Sequence, residues 1–566
     1  MAETASFAAS ERPATIERMA NTAYDVVVVG GGITGCGVAL DAASRGMKVA
    51  LIERNDLASG TSSKSSKMVH GGLRYLQDGD VRLVYEALAE RQRALRNAPH
   101  LVREVDFLIP IADRAKKFKR MITAALWAYD VTGGYRIGKL HKKIGAAEAQ
   151  AQMPTMPPGR VDGGFYYPDA RADDARLTMY LARTATIGFR ADIATYVAAV
   201  GVEKDAAGKV RAVACRDTLD GTEFEIAAGF VVNASGVWTD DVRSLDEGTH
   251  PGAIRQAKGI HLVVDRAKLR NRRAMGLGTP DGRPFFIMPW DNRAYIGTTD
   301  TDYDGPLADP QATPGDIEYL LEAANFWLED PLDSSDIIAT WAGIRPLVKS
   351  GGSKKTTDMS RKHKLIPGSD GFVTITGGKL TTYRLMAEDT IDYVIERTLL
   401  PGQKTLTRKL PLDGAVGFEQ MARDPKRFGV DADPVTTRHL LGRHGTNAAA
   451  VVEIVNEDES LAQRLVDDLP YLRAEVVHAA RAEGAQRVAD VVERRTRLSL
   501  EDRSRGLDAA EEIAGILAAE LGWDDTRRDQ EIENCRLRTD ATLGAEKLTT
   551  PADAIKATGS FQGGPK

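Results

Sequence analysis

The stretch 24–53, YDVVVVGGGITGCGVALDAASRGMKVALIE, decides how this chain folds. Its apolar run 26–29 is long enough for a buried parallel strand. Gly30, Gly32 and Gly35 follow with the spacing G-x-G-x-x-G, and a helix is predicted over 33–45, with Gly46 to stop it. A second apolar run, 49–52, ends at Glu53. This is a dinucleotide-binding βαβ unit in its required context. The glycines let backbone turn tightly and approach a pyrophosphate, and the helix N-terminus offers that anion unpaired N–H groups. Glu53 is placed to accept a bond from a ribose hydroxyl, which a ligand-free turn would leave unexplained. The motif by itself does not distinguish FAD from NAD.

The chain has 566 residues, so two or three domains are expected. A net charge of −5 argues against nucleic acid as a partner. Cys36, Cys215 and Cys535 are far apart and form no C-x-x-C, so neither a disulfide framework nor a metal site is expected. Residues 1–22 lack the apolar core of a secretory signal, and no run approaches the ~18 apolar residues that cross a bilayer.

Beyond Glu53, residues 54–80 are dense in small hydroxyl residues and glycine, suited to backbone lying against a ligand. A helix is predicted over 81–96. Residues 113–143 carry nine Lys or Arg against two Asp, interleaved with Phe118, Met121, Ile122, Leu126 and Trp127. Such a stretch is either a basic face resting on anionic headgroups or a core-facing helix with a solvated side. A helix with its lead-in fits 169–187. Strands are expected at 195–202, 209–216 and 222–232, then over 253–299. A further strand ends in a Pro-fixed turn at Arg345-Pro346, and another at 372–375 meets Gly377-Gly378-Lys379 and a helix to about 400. After Pro401 the texture becomes charged and Ala-rich, with helices expected at 435–456, 460–468, 473–492 and 502–521.

The blocks GGGITGCGVALDAASRG, GTSSKSSKMVHGGLRYL, NASGVWTDDV, KGIHLVV, PFFIMPWDNRAYIGTTDTDYDG, AGIRPLV and TITGGKLTTYRLMAE resemble the FAD-dependent, respiratory glycerol-3-phosphate dehydrogenases over roughly residues 22–400. The resemblance implies an α/β (α+β) protein. It would combine a Rossmann-like FAD-binding domain of the glutathione-reductase/amino-acid-oxidase type, a β-rich substrate domain and a helical C-terminal domain. FAD segments are expected at about 22–105, 160–250 and 340–400, substrate segments at about 106–160 and 251–340, and the helical domain at 401–548. Residues 1–21 and 549–566 are expected to be flexible tails.

It further implies oxidation of glycerol 3-phosphate to dihydroxyacetone phosphate by hydride transfer to flavin N5, with electrons passed to membrane quinone. The enzyme would lie in the cytoplasm, peripheral on the inner face of the cell membrane, held on its anionic surface through 113–143; a homodimer is left open. Arg suits bidentate phosphate recognition and Lys a point charge. Arg74, Tyr75, Arg345, Lys379 and Thr381 match substrate positions of the family. For the catalytic groups the candidates are His261, His70 and Arg345, the two histidines because imidazole titrates near neutrality. Gly30, Gly32, Gly35, Glu53, Arg54, Thr61, Ser62, Ser63, Gly71, Gly72, Leu73, Val197, Ala234, Gly236, Trp238, Gly378 and Leu380 are expected around FAD. The alternatives are an oxygen-using glycerol-3-phosphate oxidase, whose branch typically carries an added insertion not seen here, and an amino-acid-oxidase-like flavoenzyme.

Overall fold

The computed structural model describes residues 6–76, 80–112, 116–348, 362–398 and 403–547, without the side chains of Arg74 and 116–118. Two sheets and a helical region make up the molecule. The first sheet is built outward from the strand Ala23–Val29, which pairs in parallel with Val49–Glu53 on one side and Glu223–Asn233 on the other. Asp192–Thr195 and Phe372–Thr376 extend this parallel core at its two edges. A strand buried on both faces must be apolar throughout, and Val26, Val27 and Val28 are fully buried. The helix Ile33–Ser44 covers one face and is itself enclosed, with Cys36, Val38, Ala39 and Ala42 at zero exposure. Gly37 lets Tyr383 of the helix Tyr383–Arg397 approach, since a Cβ there would lie 3.2 Å from the ring. Val197–Lys204 and Val210–Asp217 form the expected hairpin, joined antiparallel to the first half of Glu223–Asn233.

Among the described residues the second sheet has nine strands. Next to one edge, Ile254–Asp265 pairs antiparallel with Arg293–Gly297 on one side and with Ile337–Val348 on the other. Val102–Ala112 and Val161–Ala172 also belong here, paired antiparallel along their length. Residues 160–172 and 340–348 were expected with the cofactor sheet. An apolar run does not name its partner, and here the long antiparallel registers place them. For the same reason 169–172 is strand, and helix begins at Asp174. Pro346 makes no turn: it lies inside Ile337–Val348, opposite Gln256, on a strand that among the described residues pairs only with Ile254–Asp265. An edge strand tolerates a missing N–H.

Three other expectations change. Residues 12–21 are no tail: Arg12–Asn21 is a helix with Met19 fully buried. Its Arg12 donates to both Asp217 oxygens (2.8 and 2.9 Å) and to the Thr195 carbonyl. In the C-terminal region, 460–468 holds only the single turn Glu459–Ala462, and the helix expected from 502 begins at Ala510. The 21-residue helix Asp525–Ala545 was not foreseen. Residues 549–566 lie outside the described residues. Among the described residues no helix is long and apolar enough to cross a membrane.

The helical region is fastened to the rest by buried ion pairs. Asp56, three residues past Glu53, accepts from Arg494 (2.5 Å) and from Arg495 (2.6 and 2.8 Å). Arg176 pairs with Glu483 at 2.6 Å, and Arg443 with Asp173 at 2.9 Å. His444, His478 and Glu483 come close enough to resemble a metal site. The Arg176 guanidinium instead donates to His444 Nδ1 (3.1 Å) and to Glu483, placing a cation on two of those three ligands.

Candidate active site

Two adjoining cavities, of about 320 and 420 Å3, share Ile33, Thr61, Ser62, Gly378, Lys379 and Leu380 in their walls. The first runs along the carboxyl ends of the parallel strands, where ligands of doubly wound sheets bind. Gly30, Gly32, Glu53, Arg54, Val197, Ala234, Gly236 and Trp238 line it. Gly30 has φ +114°, and a Cβ there would lie 2.7 Å from the Ala234 carbonyl oxygen. Gly32 is the N-cap of the helix Ile33–Ser44 and provides no side-chain cap; the Ile33 amide donates to Ser62 Oγ (2.9 Å), and the amides that follow it in the first turn are left for an anion. Gly35 does not line the cavity. Its lack of a side chain lets the helix sit against the first strand, since a Cβ would lie 1.9 Å from the Gly30 carbonyl oxygen. Both Glu53 oxygens accept backbone N–H groups, from Gly31 (2.7 Å) and Asn55 (2.9 Å), which fixes the carboxylate at the cavity wall. Arg54 lies 4.6 Å over the Trp238 ring. A glycine-floored cleft with a helix N-terminus at its wall and a fixed acid fits FAD.

The second cavity brings together His70, Tyr75, His261, Arg345, Lys379 and Thr381 from distant parts of the chain. Strand register explains how. His261 pairs with Trp341, Gly259 with Gly343, and Ala257 with Arg345, so alternate residues of both strands share one face. The glycine pair opens the floor between His261 and Arg345. A Cβ on Gly259 would lie 2.4 Å from the Arg345 guanidinium. Arg345 is steadied by Thr298 Oγ1 (3.3 Å), the Thr299 carbonyl (3.4 Å) and Asp300 (3.4 Å).

His261 is buried, stacked on Trp341 at 4.3 Å with planes 8° apart, and bonded through Nε2 to Ser66 Oγ at 3.0 Å. Burial, reinforced by the charges of Arg345 and Lys67, holds its pKa well below the usual imidazole range. The ring is therefore neutral at neutral pH. Lys379 Nζ sits 3.5 Å over the Tyr75 ring. Thr381 Oγ1 accepts from the His70 amide (3.1 Å) and donates to its carbonyl (3.2 Å), clamping that loop. Losing this one-residue clamp in Thr381→Val is expected to cost about 1 kcal/mol. The expected kinetic effect is a fall in kcat/KM of under tenfold in stopped-flow flavin reduction.

Some residues stand elsewhere than expected. Ser63 faces a different cavity, beside Asp309 and Arg538, because the 61–66 loop turns it away from Ser62. Gly71 packs beneath the loop: its amide donates to Asp169 (3.1 Å), and a Cβ would lie 2.2 Å from the Tyr129 hydroxyl. Gly72 and Leu73 line the second cavity instead of the cofactor cleft. The Arg74 side chain is outside the described residues. Sequence reading missed Ser66, Trp341, Thr298 and Asp300. Ser66 lies in a run of hydroxyl residues that marks none of them, and the others gain meaning only from strand register.

A family model described as FAD dependent oxidoreductase matches residues 25–387, and the fold and cleft above define that class of enzyme. A second, the C-terminal domain of alpha-glycerophosphate oxidase, matches residues 405–528. The chain is 39% identical over 554 residues to glycerol-3-phosphate dehydrogenase 2 of Mycobacterium tuberculosis, covering 97% of this chain and 94% of that one. It is 34% identical over 552 residues to the aerobic glycerol-3-phosphate dehydrogenase of Staphylococcus epidermidis, covering 95% and 98%. The solved glycerol-3-phosphate dehydrogenase of Bacillus halodurans, complexed with FAD, superposes with a TM-score of 0.78 at 30% identity, covering 96% of this chain and all of that one. The chain belongs to the FAD-dependent glycerol-3-phosphate dehydrogenase family.

Proposed function

We propose that this enzyme oxidises sn-glycerol 3-phosphate to dihydroxyacetone phosphate and delivers the electrons to a membrane quinone. The observation that carries this reading is the shared face of His261 and Arg345, opened by Gly259 and Gly343 beside the dinucleotide cleft. FAD, when bound, supplies the hydride acceptor. Arg345 and Lys379 hold the phosphate dianion, Arg345 by a directional fork and Lys379 as a point charge. Tyr75, under Lys379, walls the substrate. His261, kept neutral by burial, accepts the hydroxyl proton on an imidazole nitrogen, while Ser66 and the Trp341 stack hold the ring in place. His70 is the second candidate for that proton, its backbone fixed by Thr381.

Anaerobic addition of glycerol 3-phosphate to the purified protein should bleach its flavin band, with glycerol inert. A flavin that ignores glycerol 3-phosphate but bleaches with an amino acid would sink the substrate. Reoxidation by oxygen as fast as by a soluble quinone would make the enzyme an oxidase.

The membrane reading rests on the helix Lys116–Thr132. At about 100° per residue, Ile122, Leu126 and Tyr129 fall on one side and are buried, while Met121, Trp127 and Val131 fall on the other and are exposed. The helix therefore has one apolar stripe for the core and a second set of apolar side chains on its outer face, and the second set supports the membrane reading. Tyr135, Leu140 and, from the preceding helix Val81–Asn97, Val81 and Tyr85 add to the exposed apolar set. Exposed Arg120, Lys142 and Lys143 supply the charge for anionic headgroups. Replacing Met121 and Trp127 together by Ala is expected to weaken sedimentation with anionic vesicles by about tenfold or more, the order expected for losing two interfacial side chains. Unchanged binding would refute the surface.

A further inference from the structure

The segment 67–76 carries His70 and Tyr75 into the substrate site, and its two glycines, Gly71 and Gly72, give it little stiffness of its own. It is held from outside. Up to Val69 the strand Val161–Ala172 holds it: the Ala172 amide donates to the Lys67 carbonyl (2.9 Å), and the Val69 amide to the Ala170 carbonyl (3.0 Å). At His70 the Thr381 hydroxyl takes over. At Gly71 the amide donates to Asp169 Oδ1 (3.1 Å). Asp169 is 2% exposed and borders the substrate cavity. Arg91 Nη1 donates to the same Oδ1 (3.0 Å) and to the Tyr129 hydroxyl (2.8 Å), which donates in turn to Asp169 Oδ2 (3.3 Å). Arg91 and Tyr129 are fully buried and come from the helices Val81–Asn97 and Lys116–Thr132.

Both Asp169 oxygens are thus engaged, and the carboxylate is fixed from two helices while it grips the loop. An ionised acceptor binds an amide more strongly than a neutral one. The Tyr129 hydroxyl also fills the space beneath Gly71, where a Cβ would lie 2.2 Å from it, so the loop rests on a built seat. The groups facing the substrate lie just beside that seat. His70 precedes Gly71, and the Tyr75 ring stacks with it at 6.3 Å and lies under Lys379 Nζ. Placing reacting groups wrongly by about 1 Å costs about 100-fold in rate. We propose that Asp169 is a positioning residue for the oxidation: it seats the Gly71 amide and so sets where His70 and Tyr75 meet the substrate. This deepens the function proposed above and rests on it.

Two substitutions separate this role from a merely structural one. D169A and D169N both leave Arg91 without its carboxylate, so both should lower the thermal midpoint alike, but only D169N keeps an oxygen for the Gly71 amide. In the FAD-loaded, full-length protein, the limiting rate of anaerobic flavin reduction by glycerol 3-phosphate should fall about 100-fold in D169A and about tenfold or less in D169N. Equal rate losses in the two, in step with their thermal midpoints, overturn the proposal. Hydrogen exchange is the second readout. Peptides over 67–76 should exchange about tenfold or more faster in D169A than in D169N, while peptides over 24–45 and 254–265 exchange alike in both. Equal exchange over 67–76 overturns the seat. Should D169A not retain FAD, G71A replaces it: Asp169 and Arg91 stay paired, while the added methyl meets the Tyr129 hydroxyl and lifts the loop. G71A should lose about 100-fold in reduction rate, and a wild-type rate there overturns the proposal. A wild type that glycerol 3-phosphate fails to reduce refutes the proposed function, and the exchange arm still decides the seat.

Discussion

Replacing Arg345 by Gln is expected to raise KM for glycerol 3-phosphate by about 100-fold while FAD stays bound. A charge-assisted hydrogen bond contributes about 1.5–3 kcal/mol, and 1.4 kcal/mol is a factor of ten. Arg345 lies between the Thr298 hydroxyl and Asp300, with Gly259 vacating the space in front of it. Gln fills part of that space but carries no charge. Lys should recover a fraction of the affinity, since it restores the charge without the fork. The decisive measurement is rapid flavin reduction over a substrate series. An Arg345→Gln enzyme that saturates at wild-type concentrations would remove Arg345 from the phosphate site.

The second large effect concerns Asp56. Burial alone would push its carboxyl pKa up, but Arg495 and Arg494 outweigh burial and hold it below the usual carboxylate range. Asp56→Asn leaves the buried Arg495 without its ion-pair partner, while Arg494 keeps Asp490 (2.9 Å) and Glu493 (2.6 Å); breaking a buried pair in this way costs about 3–5 kcal/mol. Because Asp56 follows Glu53 so closely, loss of the pairing should also loosen the cofactor cleft. The expected result is a lowered thermal midpoint together with release of flavin fluorescence at lower temperature. The pH dependence has a definite sign. A carboxyl whose folded pKa is depressed contributes its full stability above its unfolded value of about 3.9 and loses it as pH falls through the folded value. Wild type should therefore lose stability below about pH 4 more steeply than Asp56→Asn. Parallel acid profiles would show that the pairing contributes nothing.

Periodic elements with local logic were readable from sequence. The βαβ unit at 24–53 contains its own strands, glycines and acid, and the three antiparallel strands over 197–233 have their turns at Gly208 and Asp220-Gly221. What could not be read was partnership. The strands Val102–Ala112 and Val161–Ala172 carry no mark saying which sheet takes them. Helix Asp525–Ala545 escaped notice because its buried stripe is Glu531, Cys535 and Thr539, which is not an apolar pattern. Helix Arg12–Asn21 is anchored mainly by an ion pair to a residue some two hundred positions away. In the site, the family resemblance pointed to Arg345 and Lys379, helped by their proline and glycine neighbours, and His261 was one of two histidine candidates. Ser66 and Trp341 act only through the imidazole they touch, so nothing near them in the chain announces them.

The central parallel sheet also sets a schedule. Its first strand, Ala23–Val29, and its last parallel strand, Phe372–Thr376, are separated by ~350 residues, during which the chain leaves for the other sheet and returns. At a synthesis rate of about 5–20 residues per second, the glycine loop at Gly30 emerges roughly 20–70 s before Gly378 and Leu380, which close the far side of the cleft. FAD capture is therefore an event of late synthesis or release, and flavin shortage should be felt by chains already committed to most of their length.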